Sequence, residues 1–570
     1  MQNKKLIMTK IHSIKISHYR RFEHFEQVFP DKNLIVLIGR GDSGKTTLLK
    51  AIQCVLSPSW NPSFSDYDFY NRDTTVSIEI ECVLKDVPNE LLKESKYGLY
   101  LQYLKKTGQI CSDITNEEDG DVPVLTIKLT VNDDLEPNWK VTTLRETQED
   151  KNISANDRAK LNMFMIADYI DNHFTYSRLS PLYALLRQDL EDKSQIDRKL
   201  TTLARQAYAA IEGASNFDEF DQSLKELSEV SSALGIYVEG LKAGIEYQDS
   251  TFTESNITLQ RDNIPYRLHG KGSKRLLSLA LQNRLTKDGG ITLLDEVEQG
   301  LEPDRIINLI RFLKDQTSVQ VFLTTHSSYA LVEANWDNVF LMRENNKSLI
   351  PFLEEDQAIL RSQPESFFAK KIICCEGKTE QGVLRAIDSK LRSSSGKGFA
   401  AFGVVVANCK GGDKFYSTAK SFKRKGYPTA IFADNDVNQL REKADAALKD
   451  GIKLWIWDEG KALENQIFND LPWQSLASML DAINSVRDNL RIFNQIHLES
   501  KEDLVSISST EQHKYREEYG DKAKKQSWFK NFEGGEIIGK AIFESLNDGT
   551  LDKNTTLYKH ISSLLEWIKD

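Results

Sequence analysis

Two sets of residues carry side chains and spacings that can do chemistry. The first is Gly39-Arg40-Gly41-Asp42-Ser43-Gly44-Lys45-Thr46-Thr47, which fills every position of the pattern G-x-x-x-x-G-K-T. In that pattern the glycines let backbone N–H groups curl around phosphate oxygens. Lys45 is expected to reach the β- and γ-phosphates, and the Thr46 hydroxyl to bind Mg²⁺. The second set is acidic and lies more than 300 residues downstream: Glu376 and Glu380 in E-G-x-x-E, then Asp434 and Asp436 in D-x-D. Asp434 and Asp436, two apart on one loop, can point at one cation. Glu376 from a neighbouring strand would complete a hard-oxygen site suited to Mg²⁺ or Mn²⁺.

Both sets need strands to position them. The apolar run Leu34-Ile35-Val36-Leu37-Ile38 reads as a buried strand leading into the glycine loop. Lys45 to Leu56 reads as a helix with Leu48, Leu49, Ile52 and Leu56 on one face, its N-terminus adding positive dipole at the phosphates. Two later apolar runs end in chemistry. Ile291 to Leu294 ends at Asp295-Glu296, and Val319 to Thr324 ends at Thr325-His326-Ser327. After a phosphate loop, the first of these acids is expected to hold Mg²⁺ through water and the second to orient or deprotonate the attacking water. From about residue 365 the pattern restarts as a βαβ series. Strands at Ala369–Cys375, Phe402–Ala407, Thr429–Phe432 and Lys453–Trp457 are followed by Glu376–Glu380, Lys410-Gly411-Gly412, Asp434–Asp436 and Leu463-Glu464-Asn465. Parallel sheets bind ligands at the C-terminal ends of their strands, where all these acids fall.

The remaining segments read as follows. Residues 10–30, Thr75–Leu84 and Pro123–Val131 alternate or run apolar as strands of an antiparallel subdomain. Over 155–245, Leu182, Leu185, Leu186 and Leu190 share a helix face. Ile196, Leu200, Leu203, Ala207 and Ile211 repeat at helical spacing, as do Phe217, Phe220, Leu224 and Leu227. This helical insertion is either ordinary intradomain packing or a dimerisation arm. The expected fold is α/β, with an ATPase domain split into 1–154 and 246–365 around the insertion, followed by a second domain over 366–570. With 570 residues, 40% hydrophobic and 28% charged, the composition is that of a water-soluble globular chain. A net charge of −10 argues against coating nucleic acid through bulk charge and leaves room for local basic patches. Two such clusters are Lys414, Lys420, Lys423, Arg424, Lys425, and Lys514, Arg516, Lys522, Lys524, Lys525, Lys530 with Tyr515, Tyr519 and Trp528 interleaved. Both are candidates to neutralise DNA phosphates. Six scattered cysteines lack a C-x-x-C pair, so neither a zinc site nor a disulfide framework is indicated. No membrane span or signal-peptide core is read, which makes a cytoplasmic location the expectation.

These motifs resemble known families. Ile14-Lys15-Ile16-Ser17-His18-Tyr19-Arg20-Arg21-Phe22 is similar to the opening of ABC-type ATPases of the SMC and recombination-repair class. Leu268-His269-Gly270-Lys271-Gly272-Ser273-Lys274-Arg275 is similar to their signature, which implies that Ser273 meets the γ-phosphate held by another subunit. The signature departs from the usual L-S-G-G. His326 matches the switch histidine that contacts γ-phosphate, and Glu298 and Glu302 fall where relatives carry a dimer-contacting loop. The acidic set resembles a TOPRIM domain. The ordered pair resembles the OLD (overcoming lysogenization defect) family of nucleases, including the nuclease subunit of Gabija-type antiphage systems. The resemblance implies ATP with Mg²⁺ at Gly39, Gly41, Gly44, Lys45, Thr46, Thr47, Ser273, Asp295, Glu296 and His326. It also implies Mg²⁺ or Mn²⁺ at Glu376, Glu380, Asp434, Asp436 and Glu464, acting as metal ligands or general base, with Lys540 as a charge-neutralising lysine. Relatives often carry Ser or Asp where this chain has Ala462, so either the second metal is held by fewer protein ligands or Asp458 or Glu459 substitutes. The implied activity is a DNA endonuclease, nickase or double-strand cutter, in phage defence. The implied assembly is a homo-oligomer, dimer or tetramer, working with a helicase-like protein or a retron reverse transcriptase and its msDNA. The alternatives are a non-nucleolytic SMC or recombination-mediator-like DNA-binding ATPase, and an ATP-driven scaffold or sensor.

Overall fold

The computed structural model describes residues 9–570 apart from 61, 113–119, 168–169, 178–179, 189–198, 200–217, 246–256, 287–288, 345–346, 412–413, 437–440 and 488–489. The chain divides into two compact units, Met1–Gln357 and Ala358–Asp570.

In the first unit, alternation of apolar and polar residues builds an antiparallel sheet. Its strands are β1 (Lys10–Tyr19), β2 (Phe22–Val28), β4 (Ile78–Lys85), β5 (Gln102–Leu104), β6 (Ile110–Cys111), β7 (Val122–Val131), β8 (Pro137–Thr142) and β9 (Lys151–Asn152). The order is β2-β1-β4-β7-β5-β6, with β8 on β7 and β9 on β8. The continuous apolar runs go to a second sheet. Here β3 (Leu34–Ile38), β10 (Met163–Ile166), β14 (Gly290–Leu294), β15 (Val319–Thr324), β16 (Val339–Leu341) and β17 (Ile350–Pro351) lie in the order β10-β14-β15-β3-β16-β17. All neighbours run parallel except the β16–β17 edge pair. Every residue of β3, β14 and β15 is buried, as expected of strands covered on both faces. Helix α1 (Lys45–Leu56) lays Leu48, Leu49, Ile52, Val55 and Leu56 into the core between the two sheets. A third, small sheet runs β11-β12-β13 (Leu241–Ile245, Ile257–Arg261, Ile264–Pro265) ahead of helix α2 (Lys271–Leu285).

The stretch 155–245, read from its leucine spacing as helical, also holds β10, the edge strand that pairs in parallel with β14. Four residues, Met-Phe-Met-Ile, are too short a run for periodicity to separate strand from helix. Helices stand at Pro181–Gln188 and Asp221–Ala233, the second burying Leu224 and Leu227. Leu190, Ile196, Leu200, Leu203, Ala207, Ile211 and Phe217 lie outside the described residues.

The second unit is built on a four-stranded parallel sheet, β19-β18-β20-β21, from β18 (Lys371–Cys375), β19 (Val404–Asn408), β20 (Thr429–Ala433) and β21 (Lys453–Ile456). Helix α3 (Lys378–Ser395) follows β18. After β21 come α4 (Leu463–Asp470), α5 (Trp473–Val486), α6 (Ser509–Lys525), α7 (Phe532–Asn547) and α8 (Thr556–Lys569). Helices α3 and α7 cross with their backbones nearly touching. A Cβ on Gly535 would meet Thr379 O at 2.0 Å, and one on Gly382 would meet Phe532 O at 2.1 Å. This crossing seats the first turn of α3, and with it Glu380, against the C-terminal helices.

Candidate functional site

Because β14, β15 and β3 are neighbours, their C-terminal ends share one edge of the sheet. The phosphate loop leaves β3, Asp295 leaves β14 and His326 leaves β15. The Thr46 hydroxyl donates to Asp295 Oδ1 at 3.1 Å, and Thr324 Oγ1 donates to the same oxygen at 2.7 Å. Glu296 is exposed and held in the left-handed region at φ 49°, its N–H donating to Thr324 Oγ1 at 2.7 Å. Such a conformation in a bulky residue stores strain of the kind found at functional turns. Lys45 is 6% exposed, and its ammonium donates to Gly39 O at 2.9 Å and Arg40 O at 2.7 Å. Burial pushes its pKa down to about 8, against the pull of Asp295, Glu296 and Glu298. Thr47 is buried in the first turn of α1, while the space around Gly41 is open. The imidazole of His326 is lowered by burial and then by the charge of Lys45, which places it within the field of the loop.

Ser273 lies on another element. It stands in the first turn of α2, where the neighbouring Gly272 packs on Gly300 and Leu301, and Arg275 Nη1 donates to Gln299 Oε1 at 3.0 Å. Glu298, read only as part of a loop, has a local partner: it accepts from Thr325 Oγ1 and from the His326 N–H, both at 2.7 Å.

In the second unit the acids gather at the C-terminal edge of the parallel sheet. Glu376 follows β18 directly, and Asp434 and Asp436 follow β20. Asp434 Oδ1 accepts from the N–H of Leu463 at 2.8 Å, which ties the β20 loop to the N-terminus of α4 and brings in Glu464 from its first turn. Glu380 comes from the first turn of α3 and accepts from the Gly377 N–H at 2.8 Å. Glu380 and Glu464 are 6% and 3% exposed, which is unusual for carboxylates. Burial is the first cause that raises each of them, and Glu380 reaches about 7. Burial also lifts Glu376 and Asp434, and the acids then raise one another: Asp436 acts on Glu376, and Glu380, Glu464 and Glu376 act on Asp434. The opposing charges are Lys530 and Lys524. Lys530 acts on Glu376 and on Glu464, and Lys524 also acts on Glu464 and pairs with Asp436 at 3.0 Å.

A crowd of acceptor-only groups with too little positive charge is the chemistry of a divalent-cation site. Among the described residues, no group of three or more His, Cys, Asp or Glu side chains is placed to hold a metal ion together. Mg²⁺ commonly takes only one or two carboxylates and completes its shell with water and substrate phosphate oxygens, so these residues fit that ion.

Several sequence expectations are redirected here. Lys540 is exposed on α7 and lines a cleft against α5 with Ser475, Met479 and Glu544, whereas the lysines whose charge reaches the acids are Lys524 and Lys530. Asp458 does not take the place of a ligand at Ala462. Its oxygens accept from Thr556 Oγ1 at 2.6 Å, Lys461 Nζ at 3.1 Å and Gln466 Nε2 at 3.2 Å. Arg516, read as a candidate phosphate contact, has partners within the fold. It donates to Phe468 O, Asn469 O and Leu471 O, closing the C-terminus of α4. Lys425 is 1% exposed with its ammonium on Ser421, and Lys423 donates to Gly451 O. Trp528 and Tyr519 are buried in the core rather than offered to bases. Gly412 lies outside the described residues.

The fold and the two edges define a P-loop ATPase joined to a TOPRIM unit. A family model described as "AAA ATPase domain" matches residues 9–331, and one described as "Overcoming lysogenization defect protein-like, TOPRIM domain" matches residues 367–436. The first spans more than half of the chain. The chain belongs to that ATPase family and, with its TOPRIM domain, to the OLD-type ATPase–TOPRIM proteins. No curated protein matches. Among solved structures, the chain is similar to the SMC head domain from Thermotoga maritima at 14% identity and TM-score 0.30, covering 60% of this chain and 99% of that one. It is similar also to the Smc head domain with an extended coiled coil bound to the C-terminal domain of ScpA derived from Pyrococcus furiosus (13%, 0.38, 62% and 99%) and to the recombination mediator protein RecF (12%, 0.35, 61% and 99%). Among the described residues no helix is long and apolar enough to cross a membrane.

Proposed function

We propose that this protein is an ATP-regulated, divalent-metal-dependent DNA endonuclease of the OLD type, acting in antiphage defence as a homo-oligomer. The observation that carries the reading is the edge of the second sheet. Four carboxylates from two strand ends and two helix N-termini repel one another, and two lysines from the C-terminal region lean on them. Of Glu376, Asp434, Asp436, Glu464 and Glu380, one or two at a time would hold each Mg²⁺ or Mn²⁺, with water and substrate phosphate oxygens completing the shell. When bound, such ions supply an activated water and stabilise the leaving oxygen of a phosphodiester. Lys524 and Lys530 bind and orient the scissile phosphate beside the acids. Asp436 aims the Lys524 ammonium from 3.0 Å. The deep burial of Glu380 and Glu464 keeps bulk water off one side of the site.

Nucleotide binding belongs to the first unit. Lys45, now on Gly39 O and Arg40 O, would take phosphate oxygens, and Thr46 and Asp295 would hold Mg²⁺. Ser273 would act toward the nucleotide of a second copy, as the resemblance of its turn to the ABC signature implies. A helicase-like or reverse-transcriptase partner is in keeping with the OLD-type make-up.

One assay tests the reading. Supercoiled and linear DNA are incubated with Mg²⁺ or Mn²⁺, with and without ATP, for wild type, Lys45→Ala and Asp434→Asn. Metal-dependent nicking or cutting by wild type is expected, absent in Asp434→Asn, which keeps the acceptor for the Leu463 N–H but loses the charge. Cleavage by Asp434→Asn at the wild-type rate would place the chemistry elsewhere.

A further inference from the structure

The loop after Asp295 is fastened to the end of β15 by a ladder of short bonds. Thr324 Oγ1 joins Asp295 and Glu296, and the Val297 N–H donates to Thr324 O at 2.9 Å. Glu298 then takes two donors at once. Oε2 accepts from the Thr325 hydroxyl and Oε1 from the backbone N–H of His326, each at 2.7 Å. A carboxylate accepting two such bonds fixes its donors more firmly than neutral pairs do. The next residues turn to α2. Gln299 accepts from Arg275, and Gly300 packs so closely on Gly272 that a Cβ there would meet Gly300 O at 2.2 Å. Glu298 thus stands between the histidine that faces the phosphate loop and the helix turn that carries Ser273.

We infer that Glu298 is a positioning residue for ATP hydrolysis. It holds the His326 backbone so that the imidazole meets the γ-phosphate, and it makes the placing of the α2 turn depend on that hold. This inference rests on the nucleotide reading of the first unit. Glu298 acts through protein donors, the Thr325 hydroxyl and the His326 N–H. Its effect is on the geometry of the step, so it changes kcat more than KM. The phosphate loop, which supplies ground-state binding, is left intact.

The test is steady-state ATP hydrolysis by the full chain with Mg²⁺, for wild type, Lys45→Ala, His326→Ala, Glu298→Ala, Glu298→Gln and the Glu298→Ala/His326→Ala double variant. Glu298→Ala is expected to lower kcat about 10- to 100-fold, the range that loss of a supporting hydrogen-bond shell gives, with KM changed less than about 3-fold. Glu298→Gln keeps an acceptor for the His326 N–H, and the Thr325 hydroxyl can reverse its role toward the new amide. It is expected to recover most of the rate. The double variant is expected to be no slower than His326→Ala, because one geometric unit is removed only once. Amide exchange of the peptide carrying His326 should quicken in Glu298→Ala and stay slow in Glu298→Gln. Wild-type kcat in Glu298→Ala, equal losses in Ala and Gln, or a double variant slower by the product of both effects would overturn the inference. Wild type no faster than Lys45→Ala would instead remove the ATPase reading; unchanged exchange at His326 in Glu298→Ala would then still overturn the placing of His326 by Glu298.

Discussion

At the scale of single residues, charge in this chain is worth what its neighbours make of it. Lys524, Lys530 and Lys540 are the same side chain within a span of 17 positions, yet two of them act on the acids and the third lies in the α5–α7 cleft. Substituting Lys524 or Lys530 by alanine should cut DNA cleavage roughly tenfold or more, since a charged hydrogen bond contributes about 1.5–3 kcal/mol and 1.4 kcal/mol is a factor of ten. Lys540→Ala should leave cleavage within about twofold; the comparison of the three initial rates decides it. His173 is a second case. Its ring meets the Ser278 hydroxyl in the first unit, and burial lowers its pKa to about 4 from 6.5. The folded form therefore resists the proton that the unfolded chain accepts. Stability is full above pH 6.5 and falls as pH drops from 6.5 toward 4, by about 2 kcal/mol at pH 5. Denaturant unfolding at pH 7.5 and pH 5 should show this loss in wild type and a smaller one in His173→Gln.

At the scale of elements, the acid edge depends on how α3, α4 and α7 are held. Gly535→Ala poses two opposed effects. Alanine gains about 1 kcal/mol of helix propensity, but its Cβ would sit 2.0 Å from Thr379 O, backbone that cannot swing aside. Overpacking costs about 1–3 kcal/mol or more, so the steric effect wins. Gly535→Ala should lower the Tm of the TOPRIM unit and, by tilting the first turn of α3, displace Glu380. A variant with unchanged Tm would mean that the helices can part without cost. The elements also explain where the basic residues go. Arg516 closes the end of α4 on three carbonyls, so a cation that composition offers to DNA is used within the fold.

At the scale of the whole molecule, nucleotide and acids lie in different compact units. On the proposed reading, a chain with net charge −10 does not gather DNA by bulk attraction, and local lysines and a bound metal would do so. Lys45→Ala is expected to abolish the response of cleavage to ATP, and any ATP-dependent change in oligomeric state, while leaving the acid site competent. Cleavage assays with and without ATP, beside light scattering of the same samples, check both. Loss of cleavage equal to that of Asp434→Asn would mean that hydrolysis itself drives the cut.

What the amino-acid order determined by itself is whatever short-range physics controls. A buried run followed by G-x-x-x-x-G-K-T must turn into a helix, and apolar runs ending in Asp295, Glu376 or Asp434 must deliver those acids at strand ends. Their period and their breakers lie within a few residues. The short strand β10, read as part of a helical stretch, shows the limit of that range. What only the tertiary structure decided is the fate of groups whose partners are far along the chain. Lys524 and Lys530, not Lys540, face the acids. Asp458 turns to Thr556, Arg516 caps α4, and Glu298 clamps His326 from 28 positions away. A charge or a donor has no range in sequence, only in space, so its role is set when the chain closes around it.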